Sequence, residues 1–594
     1  MFISIAREAE EVTSIDDLVE KYKNLGLNRR ELFIRATVLG LTGTSLAAFL
    51  AACGGDDDDD DEGDSPGSGE DSDSDEDSDD SDEDASGDGE PRRGGQLVFG
   101  AWQDPDTLDT HTTGLAATSR ILIHIYDPLV WKVPGTNEFV PGLAEEWEVS
   151  EDGREYTFKL RQDVKFHNGQ DFNAESVKFS FDRINNPETA SRATSSFGAN
   201  PVTEVIDTYT VKVSFDEPFS PFLTYVGVTL SMRPISSQAV EELGEDINNH
   251  PVGTGPFMFK EYVRQDHFTM ERNPDYNWGP SIWDHQDAPY LDEILWKIVP
   301  EPSTRVSALD TGEVMVIEEV RPQDIERYQG DQDNYAILQS GTPGQPRMIL
   351  INTQKAPTDE VAVRTACILA TDQDTIINTI YQGAFTPSHS LLDPLTPCFA
   401  EDLDGFHTYD PELAMQTLED AGWVVGDDGI REKDGERLEI LFISNSANDF
   451  RNIAELMQAT YREVGIEMEI TFESQPSVFS TYNEGPQNFS DFFFWSPDPD
   501  QLKATYHSDN IEIGFNWSHF DNPEFDDLVE RAAAESDVDA RCELYHQAQT
   551  ILWEEAAAIP IQQKAALIVA ENRVKNIKFE SNAYPYYHDT WIEE

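Results

Sequence analysis

Cysteine is scarce in this chain, with four residues in 594, too few for a disulfide framework to replace a hydrophobic core. Basic residues are thin as well: 41 Lys and Arg stand against 115 Asp and Glu, for a formal net charge of −74. Nucleic-acid phosphates need clustered Lys and Arg, so this balance excludes a DNA or RNA partner. No G-x-x-x-x-G-K run is present to cradle a nucleotide, and the 12 histidines fall in no H-E-x-x-H or C-x-x-C context that would seat a metal. Neither a nucleophile elbow between strand and helix nor a Ser-His-Asp context can be found. The sequence therefore predicts no enzyme, no cofactor and no metal.

A long apolar run is also missing. The most apolar N-terminal stretch begins at Ala36 and is interrupted by Thr42, Gly43, Thr44 and Ser45, short of the ~20 strongly apolar residues that cross a bilayer. It comes after Arg29-Arg30-Glu31-Leu32-Phe33 and ends in Leu50-Ala51-Ala52-Cys53. This pattern is similar to a twin-arginine lipoprotein signal, with small residues for the peptidase and Cys53 as the lipidation site. Residues 1–53 are thus expected to be a signal peptide.

Beyond Cys53 the chain turns acidic. Residues 56–90 contain 21 Asp or Glu, no Lys or Arg, and otherwise mainly Ser and Gly. Such a stretch buries no core and repels itself, so 54–93 reads as a disordered, extended tether. No Gly-punctuated loop of EF-hand spacing supports calcium binding there. The tether accounts for less than a third of the net charge, so the folded body is itself strongly acidic. With Arg outnumbering Lys, this composition suggests a saline habitat that screens the repulsion.

Some 500 residues remain, more than one core holds, and at least two lobes are expected. Residues 141–183 are the most readable block. Tyr156, Phe158 and Leu160 alternate with Thr157, Lys159 and Arg161 after the acidic turn Glu151-Asp152-Gly153, which predicts a hairpin with one buried face. A second turn at Asn168-Gly169 precedes Asn173, placed to cap a helix over Ala174–Arg183 with Val177, Ser180 and Phe181 on one face. Beyond Met348 the pattern becomes α/β. Asp359, Asp372 and Asp410 are read as helix N-caps, with Gly422 closing the third helix. Leu438, Ile440 and Phe442, then the stripe Ile453, Leu456, Met457, Tyr461 and Val464, then Ile466, Met468, Ile470 and Phe472 spell a β-α-β unit. Besides Cys53, three cysteines remain (Cys367, Cys398 and Cys542), so at most one disulfide forms among them.

The run PGLAEEWEVSEDGREYTFKLRQDVKFHNGQDFNAESVKFSFDR resembles the signature of family 5 of the extracytoplasmic solute-binding proteins of ABC importers. The resemblance continues through APTDEVAVRTACILATDQDTIINTIYQG, YDPELAMQTLEDAGW, NPEFDDLVERA and Ile559-Pro560. It implies an α/β, two-lobed periplasmic-binding-protein fold (type II-like, cluster C) with a third subdomain inserted in the first lobe. The solute-binding domain would span 94–594, with lobe I at about 94–345 plus 558–594 and lobe II at about 346–557. It further implies an extracytoplasmic monomer on the outer face of the cell membrane that closes on a solute and hands it to a permease whose ATPase subunits are separate chains. Peptide is the leading ligand class; an oligosaccharide or a nickel chelate is the alternative, since 11 Trp and 19 Tyr could stack sugars equally well.

For a peptide, the resemblance implies a buried carboxylate for the α-ammonium, placed at Asp498 or Asp500 in the loop after Trp495. A solvated Pro-Asp turn is the competing reading. Trp495, Asn352 and Thr353, and Gly253-Thr254-Gly255 are the other candidate ligand residues, each also open to a purely architectural role.

Overall fold

The acidic turn at Glu151-Asp152-Gly153 closes a hairpin because Gly153 takes a left-handed φ of 67° and Ser150 Oγ accepts the Glu155 amide at 2.9 Å. The flanking strands Ala144–Val149 and Glu155–Leu160 pair antiparallel. Thr210–Ser214 and Val202–Asp207 extend them into a four-stranded sheet. Tyr156, Phe158 and Leu160 face inward. Across them lies the helix Ala174–Asn185, whose cap Asn173 accepts the Ser176 amide at 3.2 Å. Val177, Phe181 and Ile184 pack with Phe158, Phe197 and Phe222, so truncating Phe181 to Ala would cost about 3–5 kcal/mol.

This computed structural model describes residues 90–593, apart from Arg192, 446–449 and Ile513. The expected signal peptide, Cys53 and nearly all of the acidic tether lie outside the described residues. Among the described residues no helix is long and apolar enough to cross a membrane.

The four-stranded unit is inserted in a first lobe built on a seven-stranded sheet. Its strand order is Tyr335–Gly341, Ala565–Glu571, Val316–Glu318, Gln96–Ala101, Glu293–Ile298, His267–Arg272 and Phe257–Val263. Gln96–Ala101 runs parallel to both neighbours and the remaining pairs are antiparallel. The second lobe holds a five-stranded sheet ordered Glu467–Glu473, Glu439–Asn445, Phe489–Trp495, Gly344–Ile351 and Ala558–Gln562. Its parallel pair Glu439–Asn445 and Glu467–Glu473 is bridged by the helix Phe450–Val464, and Gly465 leaves that helix at φ 90°. Ile453, Met457, Tyr461 and Val464 are all buried against the sheet.

Two short segments carry the chain between the lobes. Thr342-Pro343 joins Tyr335–Gly341 to Gly344–Ile351, and Gln563-Lys564 joins Ala558–Gln562 to Ala565–Glu571. They run side by side, the Thr342 amide donating to the Lys564 carbonyl at 2.9 Å. The second crossing therefore lies a few residues beyond the boundary near 558 that the sequence suggests, because Ala558–Gln562 completes the second lobe's sheet.

Asp372 and Asp410 cap as expected, accepting the Thr375 and Leu413 amides at 2.9 Å each. Asp359 does not. That helix begins at Val361 after Glu360, whose carboxylate is drawn to Lys433 at 2.7 and 2.9 Å, and no side chain caps it. Cys398 and Cys542 form a disulfide, and Cys367 is free and buried.

Candidate functional site

Where the two crossings meet the two sheets, a cavity of about 420 Å³ opens, within the range of small-ligand sites. The first lobe contributes Arg120 from the helix Ala116–Leu122, Glu318 and Glu319 from the end of a sheet strand, and Tyr584 from the C-terminal segment. The second lobe contributes Phe385, Phe493 and Trp495, and the crossings add Thr342 and Lys564.

Backbone geometry fixes the acidic side. Glu319 sits at φ 51°, a left-handed conformation rare for a residue with a Cβ. A buried guanidinium holds it there: Arg305 donates to the carbonyls of Glu318 at 3.2 Å and Glu319 at 3.0 Å, and to those of Val299 and Pro300 at 2.8 Å each. The turn sends the two carboxylates toward Arg120, which pairs with Glu318 and lies 3.8 Å from Glu319. Burial raises the Glu318 carboxyl above its ordinary value and Arg120 opposes that rise. Burial also works against the Arg120 charge, but Glu318 and Glu319 more than offset it. One guanidinium thus serves two carboxylates, and the more exposed one, Glu319, keeps a face toward the cavity.

The basic side is different. Lys564 Nζ lies 4.4 Å from the centre of the Phe493 ring. Among the described residues no carboxylate comes within ion-pair distance of it. Burial, with Arg347 and Arg120 nearby, pulls its ammonium down to about 8. Trp495 and Tyr584 face each other from opposite lobes with ring centres 6.4 Å apart and planes within 18°, and Trp495 Nε1 is buried without a hydrogen-bond partner. The cavity therefore offers aromatic walls, a half-spent carboxylate and an ammonium lacking a counter-ion.

Of the residues singled out from sequence, Trp495 lines this cavity and the others sit elsewhere. Asp498 is buried and bonded to both terminal nitrogens of Arg541, at 2.6 and 3.2 Å. Asp500 stands at the N-cap position of the next helix and accepts the Tyr545 hydroxyl at 3.3 Å; burial, with Asp498 beside it, raises its carboxyl to about 6. Asn352 donates to the carbonyls of Gly485 and Gln487 at 3.3 and 3.1 Å, and Thr353 bonds the His519 carbonyl at 3.0 Å. Thr254 is buried against Asp127 at 3.1 Å. Gly253 and Gly255 press on the 124–125 backbone, where an added Cβ would meet the Ile125 carbonyl at 2.0 Å and the His124 carbonyl at 2.5 Å. Their role here is close backbone approach.

Arg120, Glu318, Glu319 and Lys564 were not anticipated. Each is an ordinary charged residue in its local sequence, and only the fold shows which of them lack partners. A weak signal was present for Lys564, a lone basic residue just beyond the apolar strand Ala558–Gln562 in a chain with few bases.

The model of the family described as Bacterial extracellular solute-binding proteins, family 5 Middle, matches residues 138–512. The dipeptide-binding protein of Escherichia coli K12 is 29% identical over 497 residues, covering 79% of this chain and 89% of that protein. Heme-binding protein A of Haemophilus influenzae is 30% identical over 495 residues, covering 79% and 87%. Among solved structures, NikA from Brucella suis in complex with Fe(III)-EDTA aligns with a TM-score of 0.75 at 28% identity, covering 84% of this chain and 100% of that one.

Proposed function

The chain belongs to the bacterial extracellular solute-binding proteins of family 5, binding proteins of ABC transporters and not enzymes, and on that premise we propose that it captures short peptides for its importer. The observation that carries this reading is the charge arrangement of the cavity. Among the described residues no carboxylate lies within ion-pair distance of the Lys564 ammonium, and Glu319 shares its guanidinium with Glu318. Separated charges of opposite sign suit a zwitterion, its carboxylate toward Lys564 and its α-ammonium toward Glu319. The aromatic faces of Trp495 and Tyr584 leave side-chain identity loosely specified.

Capture acts through the hinge. Lys564 lies in one inter-lobe crossing and is bonded through its backbone to the other, while Trp495 and Tyr584 belong to different lobes. A ligand touching all three binds the closed arrangement better than an open one and shifts the population toward it. The permease then reads the closed form. We further infer that Cys53 carries the lipid that anchors the protein outside the cell membrane, with the acidic stretch as its tether.

Calorimetry with a dipeptide pool and its N-acetylated and C-amidated forms tests the ligand. Wild type should lose affinity with either cap. Lys564→Met should become insensitive to amidation and Glu319→Gln to acetylation. Full additivity of cap and substitution would remove both residues as ligand partners. Binding of a sugar or metal-chelate pool with none of any peptide would overturn the peptide reading and leave the importer reading standing.

A further inference from the structure

The C-terminal segment that supplies Tyr584 to the cavity continues into the first lobe, and there it meets a second chemical cluster. His588 and Asp589 are fully buried, and His285 reaches them from the loop that precedes the strand Glu293–Ile298. One ligand atom from each of the three lies within 4.8 Å of the other two.

The hydrogen bonding is short of protons. His588 Nε2 lies 2.8 Å from the Asp287 carbonyl, which can only accept, so that nitrogen carries the N–H. The other nitrogen, Nδ1, lies 2.8 Å from Asp589 Oδ1. In a neutral ring this sets a lone pair against a carboxylate. His285 Nε2 lies 3.5 Å from the same oxygen, its ring stacked on that of His588 with centres 4.3 Å apart and planes within 26°, and that nitrogen is buried with no hydrogen-bond partner. Two imidazole nitrogens and one carboxylate oxygen thus converge with no proton assigned between them.

A cation removes the conflict. In a zinc site with bonds of about 2.1 Å, neighbouring ligand atoms stand about 3 to 3.4 Å apart; the two separations to Asp589 Oδ1, 2.8 and 3.5 Å, bracket that range, and the two imidazole nitrogens lie within 4.8 Å of each other. The outer contacts are also those of a metal site: the Asp287 carbonyl takes the distal N–H of His588, and Asp589 Oδ2 accepts the Asp284 amide at 2.8 Å. We propose that His285, His588 and Asp589 bind a divalent transition-metal ion, with Zn²⁺ the best match to two imidazoles and a carboxylate. The ion ties the C-terminal segment to the 284–290 loop. Because Asn582, Tyr584 and Pro585 of that segment line the cavity, it also stiffens one wall of the solute site without touching the solute.

The test uses the full chain stripped with chelator, the His285→Ala variant and the Asp589→Asn variant. Co²⁺ serves as the optical probe, because imidazole ligands give it visible bands that an all-oxygen acidic surface gives only weakly. Wild type should bind one Co²⁺ with saturable bands that Zn²⁺ displaces, and Zn²⁺ should raise its melting temperature. His285→Ala removes a partly exposed ring that makes no hydrogen bond and packs on Tyr290 and the His588 ring, so the variant should fold with some loss of stability; its Co²⁺ affinity should fall at least about tenfold and the Zn²⁺ shift should vanish. Asp589→Asn should do the same where it folds. Absence of bands in wild type, or bands of equal strength and affinity in His285→Ala, overturns the proposal and leaves His588 and Asp589 as a buried imidazolium–carboxylate pair.

Discussion

Replacing Asp498 with Ala separates two uses of one carboxylate. In the fold, Asp498 holds Arg541 through two oxygens, at 2.6 and 3.2 Å, with the carboxylate 1% and the guanidinium 13% exposed. Removal leaves Arg541 buried without its bonded carboxylate, with the Ala532 carbonyl at 3.2 Å, the face of Tyr545 and the attraction of Asp500 as its remaining company. Breaking a buried pair from one side costs about 3–5 kcal/mol, whereas exchanging both partners for apolar groups is close to neutral. Urea unfolding followed by Trp fluorescence should therefore show a large fall in midpoint for Asp498→Ala, mostly recovered in Asp498→Leu/Arg541→Met. The pH dependence has a fixed sign. Burial pushes the Asp498 carboxyl up, but Arg541 and the Asp500 amide more than offset it, so its folded value lies below the ordinary one. Its stabilisation is present above the unfolded value of about 3.9 and is lost as pH falls through the lower folded value. The gap between wild type and variant should narrow in that acid range, and also as pH rises toward about 6, where burial and Asp498 hold the Asp500 carboxyl up and cost wild type more than the variant. Ligand affinity should change little, since Asp498 does not line the cavity. An unchanged midpoint together with lost peptide binding would refute the reasoning and return Asp498 to the ligand.

Four further outcomes are expected. Affinity for an anionic ligand should weaken as pH rises through about 8, where Lys564 loses its proton, by up to about tenfold per unit, and calorimetry on Lys564→Met should show no such slope. The same depressed value means that the empty folded chain binds fewer protons than the unfolded chain between about 8 and 10.5, so this group's contribution to stability rises with pH there. Cys398→Ser/Cys542→Ser opens a loop of 144 residues and should cost up to about 5 kcal/mol in chemical denaturation; no change in midpoint would mean that the bridge constrains nothing. Cys53→Ser should move the protein from the membrane fraction to the soluble one, and retention in the membrane would assign the anchoring to the apolar stretch before it.

Much of the fold was legible because its signals are local. Asn173, Asp372 and Asp410 each cap through the amide three residues onward, and Gly153, Gly422 and Gly465 each occupy a left-handed position that the flanking pattern demanded. The exception obeys the same logic. Asp359 stands in a plausible cap position, but the helix start was decided by Glu360, which a lysine more than seventy residues away had already claimed. Asp498 failed to declare itself for a similar reason. An Asp in a Pro-Asp-Pro-Asp loop after a Trp has the same sequence whether it faces a ligand or an arginine on a helix 43 residues later. A buried carboxylate is a prediction sequence can make; its partner is not.

The cavity's charge accounting shows why position mattered more than residue type. The chain carries a net charge of −74, so a lysine chosen at random faces an excess of nearby carboxylates, and many here are paired. Lys564 escapes because it lies in an inter-lobe crossing, where the backbone bond to Thr342 holds two strands together and Phe493 fills the place that an acid would take. Leaving an ammonium there depresses its proton affinity, an energetic cost that an anionic ligand recovers on binding. That recovery is largest when water is excluded, which requires Trp495 and Tyr584 to be brought together from different lobes. On the proposed reading, the group that recognises the ligand's charge and the step that closes the hinge would be coupled through Lys564, so the ligand's own charge would supply the differential affinity that closure needs.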